Sequence, residues 1–398
     1  MRTNQAHEAE AGKAAADKRA RKRLQYFEEH SREIVETIRQ LVEVESPSDN
    51  KQAVDRLGQF LAGKFSAMGG KVRFHPAAHV GDHLQVDFGA ETSTALEPVL
   101  LLGHLDTVYP EGTLAAMPCR AAEDRLFGPG SLDMKSGIGL MLHSIARLQA
   151  ESGLPRAVTV LLVSDEEIGS HSSRAITEDL AKKSAAVLVL EPAYGLKGAV
   201  KTARKGVGTY SLKVTGVAAH SGLDFEKGQS AILEIARQIE RIAGFTDLKR
   251  GVTLNVGLVE GGTRVNVIPA EATAAIDVRI ARMKDAGGMD GKLRSLKPFN
   301  SKCKLEISGG INRPPMERTA GVAALYAKAV AIAGQLGLRL EEAAVGGGSD
   351  GNFTAGIGIP TLDGLGGVGE GAHAAHESIL ISELARRAAV LTGLIATV

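Results

Sequence analysis

The sequence has no tryptophan, two cysteines and only 4% aromatic residues among 398. Cys119 and Cys303 stand far apart, which excludes a disulfide scaffold, and two thiols cannot complete a four-cysteine zinc site. No run of about 18 apolar residues occurs, so no membrane-spanning helix is expected. The first 23 residues are charged and lack the apolar stretch of a secretory signal, and the expected location is cytoplasmic. Neither sign of charge is in surplus: 47 basic residues face 46 acidic ones, for a net charge of +1. A dedicated nucleic-acid binder would carry a basic excess, so that class is set aside. What is present is 44% hydrophobic and 23% charged residue, the balance of a globular enzyme-sized chain. Single cores stop growing at roughly 250–300 residues, so two domains are expected. With thiols scarce, histidine and carboxylate are the metal-binding chemistry available.

The segment through Met68 reads as mostly helical, with Ile34, Ile38, Leu41 and Val42 at helical spacing and Gly69-Gly70 as a stop. The basic run Lys18, Arg19, Arg21, Lys22 and Arg23 reads as a solvated helix start. Three Val/Leu runs then follow: Val99 to Leu102, Val158 to Val163 and Val187 to Leu190. Each is too short for a helix and too uniformly apolar for a half-exposed strand, so each predicts a strand buried on both faces. Lys135 to Ala150 has the helical pattern that could connect two of them. In open α/β sheets, sites form beyond the carboxyl ends of such strands. Here the residues beyond them are His104-Leu105-Asp106, Asp165-Glu166-Glu167 and Glu191-Pro192. One polar cluster behind one strand means little; three behind three strands predict a convergent site.

From Gly208 the texture changes. Thr209 to Thr215, Thr253 to Val259 and Ala272 to Ile280 alternate like half-exposed strands, Ser230 to Ile242 has helical spacing, and Lys304 to Ser308 reads as a last strand. With a second helix-like stretch before that last strand, the order is βαββαβ, that of a ferredoxin-like layer. The chain then returns to helix, strand and helix, so this layer interrupts the first domain.

Each polar candidate also has a structural reading. His104 and Asp106 could be a metal ligand and the carboxylate that holds its ring, although a lone His-x-Asp is weak. Asp133, in a Gly/Pro-rich turn before a helix, is equally placed for an N-cap. Glu166 and Glu167 repel as neighbours unless a cation or proton separates their roles; one could hold a cation while the other accepts a proton from an attacking water. Their structural reading, and that of Glu191, is a solvated loop. His373 and His376 share one Gly-rich loop, and spacing does not choose between them.

The segments GHLDTVYPEGTL, FGPGSLDMKSGIG, SDEEIGS, LEPAYG, GVAAHSG, RVNVIPAEATAAIDVR, GGGSDGNF and GEGAHAAHE together resemble the aminoacylase/carboxypeptidase/acetylornithine deacetylase family of co-catalytic dizinc hydrolases. The resemblance runs in order from about Leu41 to the end and is strongest toward the glutamate carboxypeptidase branch. It implies an α/β fold: a mixed-sheet dizinc exopeptidase catalytic domain of residues 1–206 and 314–398, with an inserted ferredoxin-like lid of residues 207–313. It implies two Zn²⁺ ions, with Mn²⁺ or Co²⁺ as substitutes, one held by His104 and Glu191, the other by Glu167 and His373, and both bridged by Asp133. It implies Glu166 as general base and a cis peptide between Asp133 and Met134, while Asp106 stands among the catalytic candidates as the carboxylate that could hold the His104 ring. Met134 itself stands where many members carry an acidic or polar group.

In the insert, the resemblance makes His220 the residue that steadies the oxyanion, acting in cis or across a homodimer formed through the lid. Asn266 and Arg279 match positions that bind a substrate's free carboxylate, and a guanidinium fork suits that group. The structural reading of Arg279 is a sheet-surface ion pair, and that of His220 an exposed loop histidine. Gly347 and Gly348, with Gly346, match a loop lining the substrate end, and Arg204 and Lys205 near the hinge are further candidate contacts. The implied reaction is hydrolysis of an amide next to a free carboxylate on a small molecule, with N-acetyl amino acid deacetylation, dipeptide cleavage and aromatic amide hydrolysis or deamination as alternatives.

Two motifs suggest other chemistry. Gly347-Gly348-Ser349-Asp350-Gly351 fits the G-x-S-x-G of serine hydrolases, with Asp363 and His373 following in order, but Leu338 to Val345 makes a poor preceding strand. Gly364 to Gly369 fits G-x-G-x-x-G, but no helical pattern opens there.

Overall fold

Apolar residues that run without alternation need partners on both sides of a strand, and the chain supplies them. A computed structural model describes residues 2–89, 96–151 and 153–398. Five strands, β1 (Lys71–His75), β2 (His83–Phe88), β3 (Val99–His104), β4 (Val158–Val163) and β5 (Ala186–Val189), form one sheet with the short strand Thr361–Leu362. Their order is β1-β2-β4-β3-β5 and then Thr361–Leu362. The strands from β4 onward are parallel, whereas β1 and β2 join antiparallel at one edge. Along β3, Val99 and Leu101 enter the larger core with helices Ser31–Val42, Lys51–Ala67, Ser136–Glu151 and Ile381–Thr397. Leu100 and Leu102 enter a second core on the opposite face, with helix Arg174–Lys182. Burial on both faces is why these strands read as unbroken Val/Leu runs.

The chain splits into two units: Met1–Thr202 with Arg318–Ala344 and Ser349–Val398, and Ala203–Glu317 with Val345–Gly348. The second is a layer of β6 (Gly206–Thr215), helix Ala231–Ala243, β7 (Thr253–Gly261), β8 (Glu271–Ile280), helix Ala286–Arg294 and β9 (Lys304–Arg313). Its antiparallel order is β7-β8-β6-β9, that of a ferredoxin-like fold. Tyr210, Leu212 and Val214 alternate inward with Ala272, Ala274, Ile276 and Val278 against the two helices. Strand β7 is an edge, and its Leu258 and Val259 are exposed.

Two expectations change. The insert was expected at 207–313, yet Val345–Gly348 packs with this second unit rather than the first. The reason is local: Lys205 N donates to Val345 O, and the Arg204 guanidinium donates to the carbonyls of Gly347 and Gly348 at 3.2 and 3.0 Å. Arg23 is not a solvated charge at a helix start. It is buried and ion-paired with Glu151 at 2.9 Å, which ties the N-terminal helix Arg2–Glu29 to helix Ser136–Glu151. Among the described residues no helix is long and apolar enough to cross a membrane.

Candidate metal centre

The parallel strands end in register, with His104 opposite Val163, so the polar residues after β3, β4 and β5 emerge on one edge. The His104 ring is buried, and its Nδ1 lies 2.9 Å from the main-chain carbonyl of Asp106. A carbonyl accepts only, so Nδ1 carries hydrogen and Nε2 faces the site. That nitrogen lies 3.2 Å from Asp133 Oδ1 and 3.4 Å from Glu191 Oε1. On the other side, His373 Nε2 lies 3.4 Å from Asp133 Oδ2 and 3.2 Å from Glu167. Asp133 thus turns one oxygen toward each histidine, dividing the cluster into two halves that share one carboxylate.

The donor atoms of His104, Asp133 and Glu167 lie within 4.8 Å of one another, as do those of His104, Glu166 and Glu191. So much carboxylate requires compensation. Burial opposes a charged Asp133, but the two histidines outweigh it and hold its carboxyl well below the usual range. Burial likewise opposes a cationic His104, yet the nearby carboxylates of Asp106, Asp133 and Glu191 hold its pKa well above the ordinary value. Asp133 and Glu167 push His373 up to about 10, against partial burial. Burial raises Glu167, although His373 opposes it. Nitrogens and carboxylate oxygens this close require a proton or a cation between them. Two imidazoles and three carboxylates form a donor set that suits Zn²⁺ and tolerates Mn²⁺ or Co²⁺.

The structure brings His104, Asp133, Glu166, Glu167, Glu191 and His373 together, and of the two loop histidines it is His373 whose Nε2 lies against Asp133 and Glu167. Asp133 does not act as a helix cap: its carboxylate oxygens are turned to His104 and His373, and its peptide to Met134 is cis. The part expected of Asp106 changes. Its carboxylate stands 3.6 Å from the His104 ring, which the main-chain carbonyl holds instead. The carboxylate accepts the amides of Glu166 and Glu167, both at 3.2 Å, and the Ser48 hydroxyl at 2.7 Å, so it shapes the acidic turn.

Sequence reasoning passed over two supports. Gly366 donates to Glu191 O at 2.9 Å, so the glycine-rich run 364–369 is a brace for the Glu191 strand end, and no helix opens there. Glu377 lies buried beneath the turn that presents Asp133; an acidic residue four positions after His373 in GEGAHAAHE was the available signal.

The second unit holds His220, Asn266, Arg279, Gly347 and Gly348. His220 Nδ1 accepts from the amides of Gly222 and Leu223 at 3.1 and 3.2 Å, so in the neutral ring Nε2 carries hydrogen and is a donor. Asn266 is exposed, and its carbonyl accepts from Ser221 N, joining it to the His220 turn. The Arg279 Nε donates to Asp277 at 2.9 Å along the strand. Ser349 is fully buried and donates to Asp363 at 2.6 Å, with no imidazole between them, while the His373 ring faces Asp133 and Glu167. A Ser-His-Asp relay is therefore not assembled.

Residues 100–397 match peptidase family M20/M25/M40. The chain belongs to that family. Carboxypeptidase G2 of Pseudomonas sp. (strain RS-16) is 31% identical over 389 residues, which cover 95% of this chain and 92% of that one. Among solved structures, aminopeptidase PepT of Bacillus cereus ATCC 10987 superposes with a TM-score of 0.77 at 22% identity, covering 92% of this chain and 98% of that one. The YXEP protein of Bacillus subtilis, described as a dinuclear metal binding peptidase, superposes with a TM-score of 0.66 at 13% identity, covering 93% and 98%. This M20 peptidase is thus an enzyme, a metal-dependent hydrolase with carboxypeptidase relatives.

Proposed function

We propose that this M20 peptidase is a co-catalytic two-metal carboxypeptidase that hydrolyses an amide bond next to a free carboxylate, with glutamate-type substrates first among N-acyl or peptidyl amino acids. The observation that carries this reading is the Asp133 carboxylate, which turns Oδ1 to His104 and Oδ2 to His373. On this reading His104 and Glu191 hold one divalent cation, Glu167 and His373 hold the other, and Asp133 serves both. The dinuclear relative supports two ions, and the carboxypeptidase relative supports the substrate. When bound, two such cations polarise the acyl carbonyl and offset developing negative charge.

Glu166 accepts a proton from the attacking water as its oxygen bonds the acyl carbon, then delivers that proton to the nitrogen as the C–N bond breaks. Acid and amine are the products. Asp106 keeps Glu166 and Glu167 apart by holding their amides. His220, with Nε2 as donor, supplies a hydrogen bond to the oxyanion. Arg279 and Asn266 bind the substrate carboxylate, with Gly347 and Gly348 offering backbone at the same end. The exposed edge β7, with Leu258 and Val259, supports a homodimer through the second unit.

The test is turnover of N-acylated and C-terminal-glutamate substrates before and after thorough chelation. Activity is expected to vanish and to return with Zn²⁺, Mn²⁺ or Co²⁺; activity that survives chelation overturns the reading.

A further inference from the structure

Glu377 is a carboxylate with 0% exposure, and its hydrogen-bond donors are main-chain amides and a phenol. Oε1 accepts from the amides of Leu132 at 2.7 Å and Asp133 at 2.9 Å. Oε2 accepts from Gly130 N at 3.0 Å and the Tyr109 hydroxyl at 2.6 Å. Burying a carboxylate is strongly unfavourable unless its oxygens are fully bonded, so a carboxylate here needs a reason beyond packing.

The reason lies in what it joins. Gly130 to Asp133 is the turn that presents the shared carboxylate. Tyr109 follows His104 by five residues, in the loop that leaves β3. Glu377 itself ends the loop carrying His373, which has φ +63°. That loop is closed by Ala374 N to Gly371 O at 2.9 Å and Glu377 N to Ala374 O at 3.0 Å. The Tyr109 hydroxyl, shared with Ala374 O at 3.1 Å, fastens it from a second side. Three chain segments that bear site residues therefore meet at one buried side chain.

We infer that Glu377, with Tyr109, is a positioning residue that sets the spacing between the Asp133 carboxylate and the His373 ring. The inference rests on the two-metal reading of the site. It does not make Glu377 a ligand: its oxygens are turned to amides and phenol. Residues behind a metal ligand commonly change metal affinity by about 10–100-fold when altered. Glu377→Gln keeps size and shape but places an NH₂ where one carboxylate oxygen now meets two donors. An NH₂ at the Oε1 position leaves the amides of Leu132 and Asp133 without their acceptor, and one at Oε2 leaves Gly130 N without it while the Tyr109 hydroxyl keeps Ala374 O; either way an amide of the turn is stranded and the turn must shift.

The test is titration of the metal-stripped full chain with Co²⁺ alone, read by visible absorbance, alongside thermal unfolding of the same metal-free samples. E377Q is expected to bind Co²⁺ about 10–100-fold more weakly, with an altered absorption band at saturation. Tyr109→Phe removes one donor without changing charge, and is expected to weaken Co²⁺ in the same direction by less. A merely structural residue would lower the metal-free melting temperature and leave both affinity and spectrum unchanged; that result in both variants overturns the inference. If E377Q does not fold, Y109F decides alone. If the unaltered chain binds no Co²⁺, the two-metal reading itself fails, which separates the two outcomes.

Discussion

Gly366→Ala is the substitution whose cost can be read most directly from the structure. Gly366 N donates to Glu191 O at 2.9 Å, so the loop and the strand end carrying Glu191 run against each other. A Cβ at 366 would lie 2.2 Å from Leu190 O and 2.8 Å from Glu191 O. Its φ is not positive, so the penalty is steric and owes nothing to backbone preference. Real Cβ contacts stay above 3.0 Å, and 3.0 less 2.2 leaves at least 0.8 Å by which backbone must separate. Backbone on both sides offers no flexible end to yield. Overpacking of this kind costs about 1–3 kcal/mol. A displacement near 1 Å at a catalytic group costs about 10²-fold in rate.

Urea unfolding and kcat/KM at saturating Zn²⁺ are the two assays for Gly366→Ala, with Gly63→Ala as control. Gly63 lies inside helix Lys51–Ala67 with nothing within 4 Å of a new Cβ, so alanine there should add about 0.5–1 kcal/mol of stability and leave activity unchanged. If Gly366→Ala matches Gly63→Ala in both assays, the brace at Glu191 is not what this close approach implies.

Three further outcomes are expected. Glu166→Gln should lower kcat by about 10²–10⁴-fold while metal content, measured by atomic emission, stays that of the unaltered enzyme; unchanged turnover removes Glu166 from its role. Burial holds the His83 imidazole below its usual value of about 6.5, with Nδ1 accepting from Ser164 N at 3.1 Å, so unfolding takes up a proton there. Its contribution is complete above about 6.5 and declines as pH falls toward the folded-state value. The melting temperature of His83→Asn should therefore fall less steeply than that of the parent between about pH 6.5 and 5, and equal slopes would refute this. The buried Arg387 guanidinium donates to the carbonyls of Gly366 at 2.9 Å, Gly198 at 3.0 Å and Gly364. Arg387→Met strands those acceptors and should lower the unfolding free energy by about 2–5 kcal/mol in urea; a loss under 1 kcal/mol would show the loop satisfied by other means.

Much of the sheet was legible because its central strands are buried on both faces, which leaves an unmistakable Val/Leu run ended by polar residues. The edge hairpin β1–β2 was not read, although Lys71 to His75 alternates Lys, Arg and His with Val and Phe, the period of a half-exposed strand. The insert was legible from alternation, but its membership of Val345–Gly348 was not, since that depends on Arg204 reaching carbonyls more than 140 positions away. At the site, the residue types were in the sequence while their partners were not. Asp133 could have been a helix cap, and Asp106 was assigned to the His104 ring by its side chain when its main chain does that work.

By itself the sequence determined which strands lie inside, where each ends, and that histidines and carboxylates cluster behind three of them. These follow from local pattern, because burial on two faces leaves its mark on consecutive residues. The tertiary structure decided which oxygen of Asp133 meets which histidine, that His373 rather than His376 faces the carboxylates, and that Glu377 sits beneath the turn. Those depend on angles and on distances of about 3 Å between residues 240 or more positions apart, and no spacing along the chain encodes them.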